Sequence, residues 1–198
     1  ADESMEILSK YPDIKVIRNE ENRGFAAAVN QGFQAMEGQY AVLLNNDTVV
    51  QRGWLKSLIH EMDIHPGAFS LGSLMLRMDA GHTVDDAGDN YTLLGWGYKR
   101  RDGKPASRET KSRCVFSACG GAAIYRRELL DQTGGMDETF FAYMEDMDLG
   151  WRALNHGWVN RYCPQAQVLH IGSATTGSKY NDFKVRLAAR NNLCILYK

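Results

Sequence analysis

The feature that most constrains the fold is an apolar run that ends abruptly in polar residues, YAVLLNND at residues 40–47. Five apolar residues in succession (residues 40–44) are typical of a short strand that is covered on both faces. The strand then ends in Asn45, Asn46 and Asp47. In open α/β sheets ligands bind just beyond the carboxyl ends of such strands, so a carboxylate there is well placed to hold a hard cation and, through it, a phosphate. Taken alone, the tripeptide is more often a turn that caps a core strand.

Length and composition limit the class of protein. The 198 residues suit one domain with a sizeable core, and 44% hydrophobic with 24% charged residues is ordinary for a globular protein. A net charge of −1 argues against a protein that binds nucleic acid by bulk electrostatics, so we expect no nucleic-acid partner. The sequence has no apolar run long enough to span a membrane. Its four cysteines form no CxxC pair, which favours reduced cytoplasmic thiols over a disulfide framework or a zinc site.

The first third of the chain alternates between strand and helix patterns. We predict strands at residues 14–17 and 40–44, and helices at residues 25–36 and 54–62. In the first helix apolar side chains recur at spacings of three and four, which is the period of a helix with one buried face. This alternation is the signature of an α/β fold.

The middle of the chain is less regular. A strand is predicted at residues 68–78, and the following segment, residues 79–113, is rich in Gly, Asp, Lys and Arg with aromatic residues between them. A long segment of this type is a functional loop or a small hairpin insertion, and we favour a hairpin at residues 83–98. Its aromatic side chains, among them Trp96, would either stack on a sugar ring or hold the loop in place.

Three acidic residues, Glu145, Asp146 and Asp148, fall in the first turn of a predicted helix. Attraction to the helix dipole, about 0.3–1 kcal/mol per charge, accounts for one or two of them. Three acids directly after an aromatic segment favour a functional site. Helical spacing lets Arg152 pair with Asp148, while Asp146 lies about 100° from Glu145 around the helix. Asp146 is therefore free to face a cleft, where a carboxylate can act as a general base.

His170 follows two short predicted strands, at residues 159–163 and 168–169. A single histidine is more often structural than a ligand. Its position at a strand end nevertheless resembles that of Asp47. An Asp and a His from neighbouring strand ends could share one divalent cation, and a histidine ligand favours Mn²⁺ over Mg²⁺.

Two glycine-containing segments are compatible with ligand binding. The turn at residues 22–25 leads into a helix whose first N–H groups could meet an anion, with the charge of Arg23 beside them. Two adjacent glycines, Gly120 and Gly121, interrupt a strand-like run, which indicates close approach of a ligand or another chain segment to the backbone.

These segments form an ordered set of motifs along nearly the whole chain. In chain order they are Asn22-x-Gly24-Phe25 with Asn30 and Gly32, YAVLLNND with Thr48 and Trp54, Gly120-Gly121 with Arg126, the stretch from Gly134-Gly135 through Phe140-Phe141 and Glu145-Asp146 to Arg152, and His170. Their order and spacing resemble family 2 glycosyltransferases, particularly the bacterial rhamnosyltransferase-like branch.

The resemblance implies a GT-A fold, a Rossmann-like three-layer α/β/α sandwich with a mixed central sheet, as a single domain over residues 1–198. It implies an inverting hexosyltransferase of polysaccharide biosynthesis. The donor would be a dTDP- or UDP-linked sugar and the acceptor a hydroxyl of a glycan or lipid-linked glycan. Asp146 would be the general base. Asp47 and His170 would hold Mg²⁺ or Mn²⁺, with Asn45 in place of the first Asp of the DxD metal motif.

The resemblance also implies which residues lie on each side of the reaction. The donor-binding residues would be Asn22, Arg23, Gly24, Asn30, Asn45, Asn46, Asp47, Gly120 and Gly121. The acceptor side would comprise Trp96, Glu145 and Arg152.

One departure from the family pattern concerns the start of the chain. Members usually begin with a strand, a helix and a strand that include an early acidic residue for the nucleotide, and the resemblance implies that this sequence starts after them. We therefore expect an N-terminally incomplete domain. The absent strands would lie in the middle of the sheet, between the strand at residues 14–17 and the strand at residues 40–44. Two alternatives follow: a non-catalytic domain of the same fold with a binding or scaffold role, and a nucleotidyltransferase. The second would need a Gly-rich basic loop near the start, which the sequence lacks.

The sequence leaves membrane contact and self-association open. A helix predicted at residues 183–197 carries basic residues between apolar ones and could touch the inner face of a membrane. We favour a solvated or partner-facing helix. A homo-oligomer is the other open alternative.

Overall fold

The computed structural model describes residues 3–79, 82–172 and 181–198. The helices in these ranges are α1 (Ser4–Leu8), α2 (Phe25–Ala35), α3 (Trp54–Ile64), α4 (Arg127–Thr133), α5 (Glu145–Asn155) and α6 (Asp182–Tyr197). The strands are β1 (Tyr40–Leu44), β2 (Thr48–Val50), β3 (Ala68–Arg77), β4 (Val84–Asp86), β5 (Asp89–Tyr91), β6 (Gly97–Lys99), β7 (Arg113–Val115), β8 (Ala122–Arg126) and β9 (Val159–His170). None of these helices is both long enough and apolar enough to cross a bilayer.

The central sheet is mixed and has the strand order β1-β8-β3-β9-β2. Strand β8 is antiparallel to both β1 and β3, whereas β3 and β9 are parallel. β1, β3 and β9 therefore run in one direction, and their carboxyl ends lie at the same edge of the sheet. β4 pairs with β3, and β7 pairs with β9. β5 and β6 form a separate hairpin.

Helices cover both faces of the sheet, as expected for a three-layer sandwich. Successive side chains of β8 alternate between two cores: Ala122 and Ile124 join a cluster with α3, while Ala123 and Tyr125 join a cluster with α2, α4 and α5. This alternation is the period of two of a strand that is buried on both faces.

Three predictions differ from the structure. Residues 40–44 form β1, but this strand is not covered on both faces, because Val42 is 40% and Leu44 45% exposed. Residues 14–17 form no strand; their apolar side chains are exposed, and within the described residues β1 pairs with β8 alone. The two strands predicted at residues 159–163 and 168–169 are one, β9. Its ladder with β3 jumps from Cys163 to Gln167, so the register shift spans residues 164–166, which begin with Pro164, a residue that has no N–H to donate. The predicted hairpin insertion forms, with its two strands at β5 and β6.

Candidate active site

Two segments bring Asp47 next to His170. β1 ends at Leu44, and the next residue, Asn45, donates its backbone N–H to the carbonyl of Gly121 (2.9 Å). Thr48 then begins β2 and pairs with His170, the last residue of β9. The N–H of Ile171 donates to the carbonyl of Asp47 (3.0 Å). Backbone pairing thus fixes both residues, and Oδ2 of Asp47 lies 3.3 Å from Nε2 of His170.

The atoms at this pair fit a divalent cation. Oδ1 of Asp47 is buried and has no hydrogen-bond partner among the described residues. On the other side of the imidazole, Nδ1 of His170 lies 2.7 Å from Oδ2 of Asp85. A carboxylate with an unused oxygen, facing a ring nitrogen, is a donor set that Mn²⁺ or Mg²⁺ can use. The predicted ligands, Asp47 and His170, are therefore brought together.

Asp146 lies at the start of α5, after a backbone turn in an unusual conformation. Phe141, Tyr143 and Met144 have positive φ angles of 61°, 67° and 72°. Such angles cost energy in residues with a side chain and persist where the surroundings hold them. Here Nδ2 of Asn191, on α6, donates to three carbonyls of this turn, at 2.7–2.9 Å. The helix start and its acidic side chains are thereby held in one position.

Both carboxylate oxygens of Asp146 accept backbone hydrogen bonds. Oδ2 accepts the N–H of Gly120 (2.8 Å), and Oδ1 accepts the N–H of Met147 (2.8 Å). Burial raises the pKa of Asp146, although these two hydrogen bonds oppose the rise. The result is a fixed carboxylate that is a stronger base than an exposed aspartate.

Glu145, its neighbour, is 6% exposed, and its Oε2 has no hydrogen-bond partner within the described chain. Burial, and then the charge of Asp146, raises the pKa of Glu145 to about 8. At neutral pH this carboxyl is therefore protonated and can donate a hydrogen bond.

Glu145, Asp146 and His170 line one cleft, a cavity of about 400 Å³, and Asp47 adjoins it through its contact with His170. Its walls include Asn45, Gly120, Gly121, Glu145, Asp146 and His170. A Cβ at Gly121 would lie 3.0 Å from Cε of Met75, which is tighter than an ordinary contact, whereas one at Gly120 would be in ordinary contact, 3.6 Å from Oδ2 of Asp146. The close backbone approach predicted from the glycine pair is therefore confirmed for Gly121.

The segment that contains Asn22, Arg23 and Gly24 supports the site from outside the cleft. Gly24 has φ +88° and packs against Phe141. The first two N–H groups of α2 donate to the carbonyl of Phe141 (2.6 and 3.3 Å), so the expectation that they are free for an anion is wrong. The side chain of Arg23 pairs instead with Glu138 (3.6 Å).

Asn30 also serves the frame. Its Oδ1 accepts the N–H of Met136 (2.8 Å), and its Nδ2 donates to the carbonyl of Met136 (2.8 Å) and to Oε1 of Glu138 (3.1 Å). The side chain thus links α2 to the segment before α5 and is absent from the walls of the cleft. The donor-binding role implied for Asn30 is therefore not supported by its position.

Three other expected residues also lie away from the cleft walls. Asn46 is exposed, and Trp96 is 62% exposed in the turn between β5 and β6. Arg152 pairs with Asp148 as predicted (2.9 Å), but its remaining donors meet the carbonyls of Thr133 and Gly135 (both 2.6 Å). The geometry therefore places Arg152 in the frame rather than on the acceptor side.

A charged cluster that no sequence motif indicated lies at the cleft, whose walls include Asp89, Lys99 and Cys119. The ligand atoms of Asp86, Asp89 and Cys119 lie within 4.8 Å of one another. Burial raises the pKa of Asp86 to about 6 and raises that of Asp89. Burial lowers the pKa of Lys99, but the charges of these neighbours raise it by more, so the net effect is a raised pKa. The ammonium of Lys99 therefore supplies positive charge to the cluster. The only sequence signal was the density of acids in the insertion.

Comparisons with known proteins agree with this geometry. The family model described as "Glycosyl transferase family 2" matches residues 1–134. The N-acetylglucosaminyl-diphospho-decaprenol L-rhamnosyltransferase of Mycobacterium tuberculosis is 30% identical over 194 residues, covering 86% of this chain. The pre-mycofactocin glycosyltransferase of the same organism is 28% identical over 168 residues, covering 85% of this chain. The chain spans only 62% and 34% of the lengths of these two relatives.

Two solved structures resemble the fold. GalNAc-T7 with UDP, GalNAc and Mn²⁺ aligns with a TM-score of 0.74 at 18% identity, over 98% of this chain and 39% of that one. The mannosyltransferase PcManGT from Pyrobaculum calidifontis, in complex with GDP-Man and Mn²⁺, aligns with a TM-score of 0.59 at 14% identity, over 87% and 44%. The fold is therefore GT-A, as the sequence resemblance implied.

Proposed function

This chain belongs to glycosyl transferase family 2, and from that premise we propose that it transfers a sugar from a nucleotide-sugar to an acceptor hydroxyl, with inversion. One observation carries the proposal: a fixed carboxylate, Asp146, and the imidazole of His170 line one cleft together with Gly120 and Gly121, and Asp47 lies beside His170 as the second member of a cation-binding pair. The name of the rhamnosyltransferase relative supports a lipid-linked glycan acceptor, and we propose a dTDP- or UDP-linked sugar as the donor.

Asp47 and His170 would hold Mg²⁺ or Mn²⁺. The unpaired Oδ1 of Asp47 supports this assignment, because a buried carboxylate oxygen without a partner is costly unless a ligand uses it. A bound cation offsets negative charge on the departing nucleoside diphosphate. Asn45 lines the cleft next to this pair and can orient the donor through its amide.

Asp146 is proposed to accept the proton of the acceptor hydroxyl. As that oxygen forms its bond to the anomeric carbon, the bond to the diphosphate breaks and its electron pair leaves with the diphosphate. The proton moves to Asp146, whose raised pKa makes it a better acceptor. A single displacement inverts the configuration, so no covalent intermediate is needed.

Glu145 supports the acceptor side in a different way. Because its carboxyl is protonated at neutral pH, it does not compete with Asp146 for the proton. Its O–H can instead hold an acceptor or donor hydroxyl in the cleft. Trp96, in the turn between β5 and β6, would contact a longer acceptor. Membrane contact and self-association are alternatives that no observation tests.

The test compares nucleotide binding with turnover. UDP and dTDP are titrated calorimetrically into the chain with and without Mn²⁺, and release of nucleoside diphosphate from UDP- and dTDP-sugars is measured. Asp47→Asn should abolish the Mn²⁺-dependent part of binding. Asp146→Asn should retain binding and lower turnover about 10²–10⁴-fold. Asp131→Asn, which alters an exposed carboxylate on α4, is the matched control.

Each result bears on one part of the proposal. Wild-type turnover by Asp146→Asn would remove Asp146 as the base. Undiminished Mn²⁺-dependent binding by Asp47→Asn would remove the cation site. Mn²⁺-dependent binding by the wild type with no turnover on any sugar nucleotide would favour the non-catalytic binding domain.

A further inference from the structure

Asp85 contacts the predicted cation ligand His170 from the side opposite the cation site. It lies on β4, which pairs with β3 next to the end of β9. Its Oδ2 is 2.7 Å from Nδ1 of His170, and its side chain is only 17% exposed. The sequence analysis gave Asp85 no role.

The backbone of His170 is already fixed without Asp85. His170 pairs with Arg77 of β3 on one side and Thr48 of β2 on the other. Its carbonyl also accepts the N–H of Met78 (3.0 Å). What the sheet leaves undetermined is the rotation of the imidazole and the nitrogen that carries its proton.

The contact with Asp85 decides both. Both ring nitrogens face a carboxylate, but the Asp85 oxygen is at hydrogen-bond distance from Nδ1 (2.7 Å) and the Asp47 oxygen is farther from Nε2 (3.3 Å), so Nδ1 carries the proton when the imidazole is neutral. Nε2 then presents a lone pair toward Oδ2 of Asp47, 3.3 Å away. Two acceptors at that distance repel each other unless a cation lies between them. The opposite tautomer would instead donate from Nε2 to Asp47 and occupy the lone pair.

Lys99 keeps the Asp85 carboxylate in place. Its Nζ lies 3.3 Å from the same Oδ2 that faces His170. The ammonium and the imidazole N–H therefore hold one oxygen from two directions. Charge-assisted hydrogen bonds of this kind are stronger and more directional than neutral ones.

We propose that Asp85 is a positioning residue that holds His170 in the Nδ1–H tautomer, with Nε2 free to bind a divalent cation together with Asp47. The inference rests on the proposed function, because it assigns a cation to that pair. It adds a residue that touches neither the cation nor the substrate and acts through the histidine ring. Partners of this type in metal sites are worth about 10–100-fold in metal affinity.

The first experiment measures Mn²⁺ alone. Free Mn²⁺ is followed by electron paramagnetic resonance as it is titrated into the wild type, Asp85→Ala, Asp85→Asn and a control, Asp63→Asn. Asp63 is a carboxylate on α3 that bonds Tyr40 (2.6 Å). We expect Asp85→Ala to bind Mn²⁺ about 10–100-fold more weakly, and Asp85→Asn to lose less because its amide oxygen still accepts from Nδ1. Wild-type affinity in Asp85→Ala would overturn the proposal.

The second experiment observes the tautomer directly. Two-bond ¹H–¹⁵N spectra of ¹⁵N-histidine-labelled protein, at a pH where the ring is neutral, distinguish Nδ1–H from Nε2–H, and His170→Gln assigns the signal. We expect Nδ1–H in the wild type and in Asp85→Asn, and a shift toward Nε2–H in Asp85→Ala. An Nε2–H tautomer in the wild type would refute the assignment.

The two measurements separate the possible failures. If the wild type binds no Mn²⁺, the cation site of the proposed function fails, and the tautomer spectra still decide the role of Asp85. If the wild type binds Mn²⁺ and both Asp85 variants bind it equally well, the cation site stands and Asp85 has no part in it. Circular dichroism identifies any variant that does not fold, and Asp85→Asn is the variant closest in shape to the wild type.

Discussion

Replacing Glu145 with Gln should change how the stability of the protein depends on pH. Glu145 is buried, has an unpartnered carboxyl oxygen and has a pKa raised from 4.5 to about 8. Gln has the shape of the protonated acid but cannot ionise. The variant therefore removes the titration while keeping the packing.

The sign follows from proton binding in the two states. Below pH 4.5 the carboxyl is protonated in both the folded and the unfolded chain. Between pH 4.5 and about 8 the folded chain keeps a proton that the unfolded chain releases, so the free energy of unfolding falls as the pH rises. One pKa unit corresponds to about 1.4 kcal/mol, and the rise from 4.5 to about 8 therefore sets an upper limit of about 5 kcal/mol.

The assay is urea unfolding of the wild type and Glu145→Gln at several pH values from 5 to 8. We expect the variant to gain about 2–3.5 kcal/mol relative to the wild type over that interval, because part of the titration lies outside it. Glu128→Gln is the matched control, because Glu128 also lies in the first turn of a helix but is exposed. Parallel curves for the wild type and Glu145→Gln would refute the reasoning, since Glu145 would then titrate normally in the folded protein.

Two further predictions test the frame around the cleft. Gly24→Ala should destabilise the protein by about 2–4 kcal/mol in urea unfolding, because a Cβ strains the positive φ and would lie 2.6 Å from Phe141. Gly53 has a similar φ, +84°, but open space around it, so Gly53→Ala should lower the free energy of unfolding by only about 1–2 kcal/mol. Equal losses would contradict the packing argument. Arg152→Met should lower the free energy of unfolding by about 2 kcal/mol or more, because it removes an ion-pair partner of the fully buried Asp148. Calorimetry should show that the affinity for UDP in the presence of Mn²⁺ is unchanged. A tenfold loss of that affinity would contradict this interpretation and indicate that Arg152 takes part in binding.

The sequence was sufficient where the signal is local. Residues 40–44 are apolar on both faces and form a strand of the central sheet, and the polar residues after them lie at its carboxyl edge. The helical spacing around Asp148 placed Arg152 as its partner and left Asp146 facing the cleft. Both results follow from backbone periodicity, which a sequence displays directly.

The sequence was insufficient where the structure or role of a residue depends on hydrogen-bond partners that are distant along the chain. Residues 14–17 have the composition of a strand, but a strand exists only when it pairs with another strand, and no described strand pairs with this segment; the N–H of Ile14 donates instead to the carbonyl of Tyr11 (3.1 Å). Asn30 matches a family position, yet its amide is used by residues more than 100 positions away in the chain. No pattern within either segment records the presence or absence of those partners.

By itself, then, the sequence determined the α/β alternation, the strand that leads to Asp47, and the separate direction of Asp146 on its helix. Only the tertiary structure decided that His170 and Asp146 share one cleft with Asp47 beside His170, that Asn30 and Arg152 support it from outside, and that Asp85 contacts His170. The physical reason is that helix and strand periods are set by neighbouring residues. Burial and raised pKa values depend on residues that are distant in the sequence, and the hydrogen bond between Asp85 and His170 joins residues 85 positions apart. Those interactions exist only once the sheet has paired its strands.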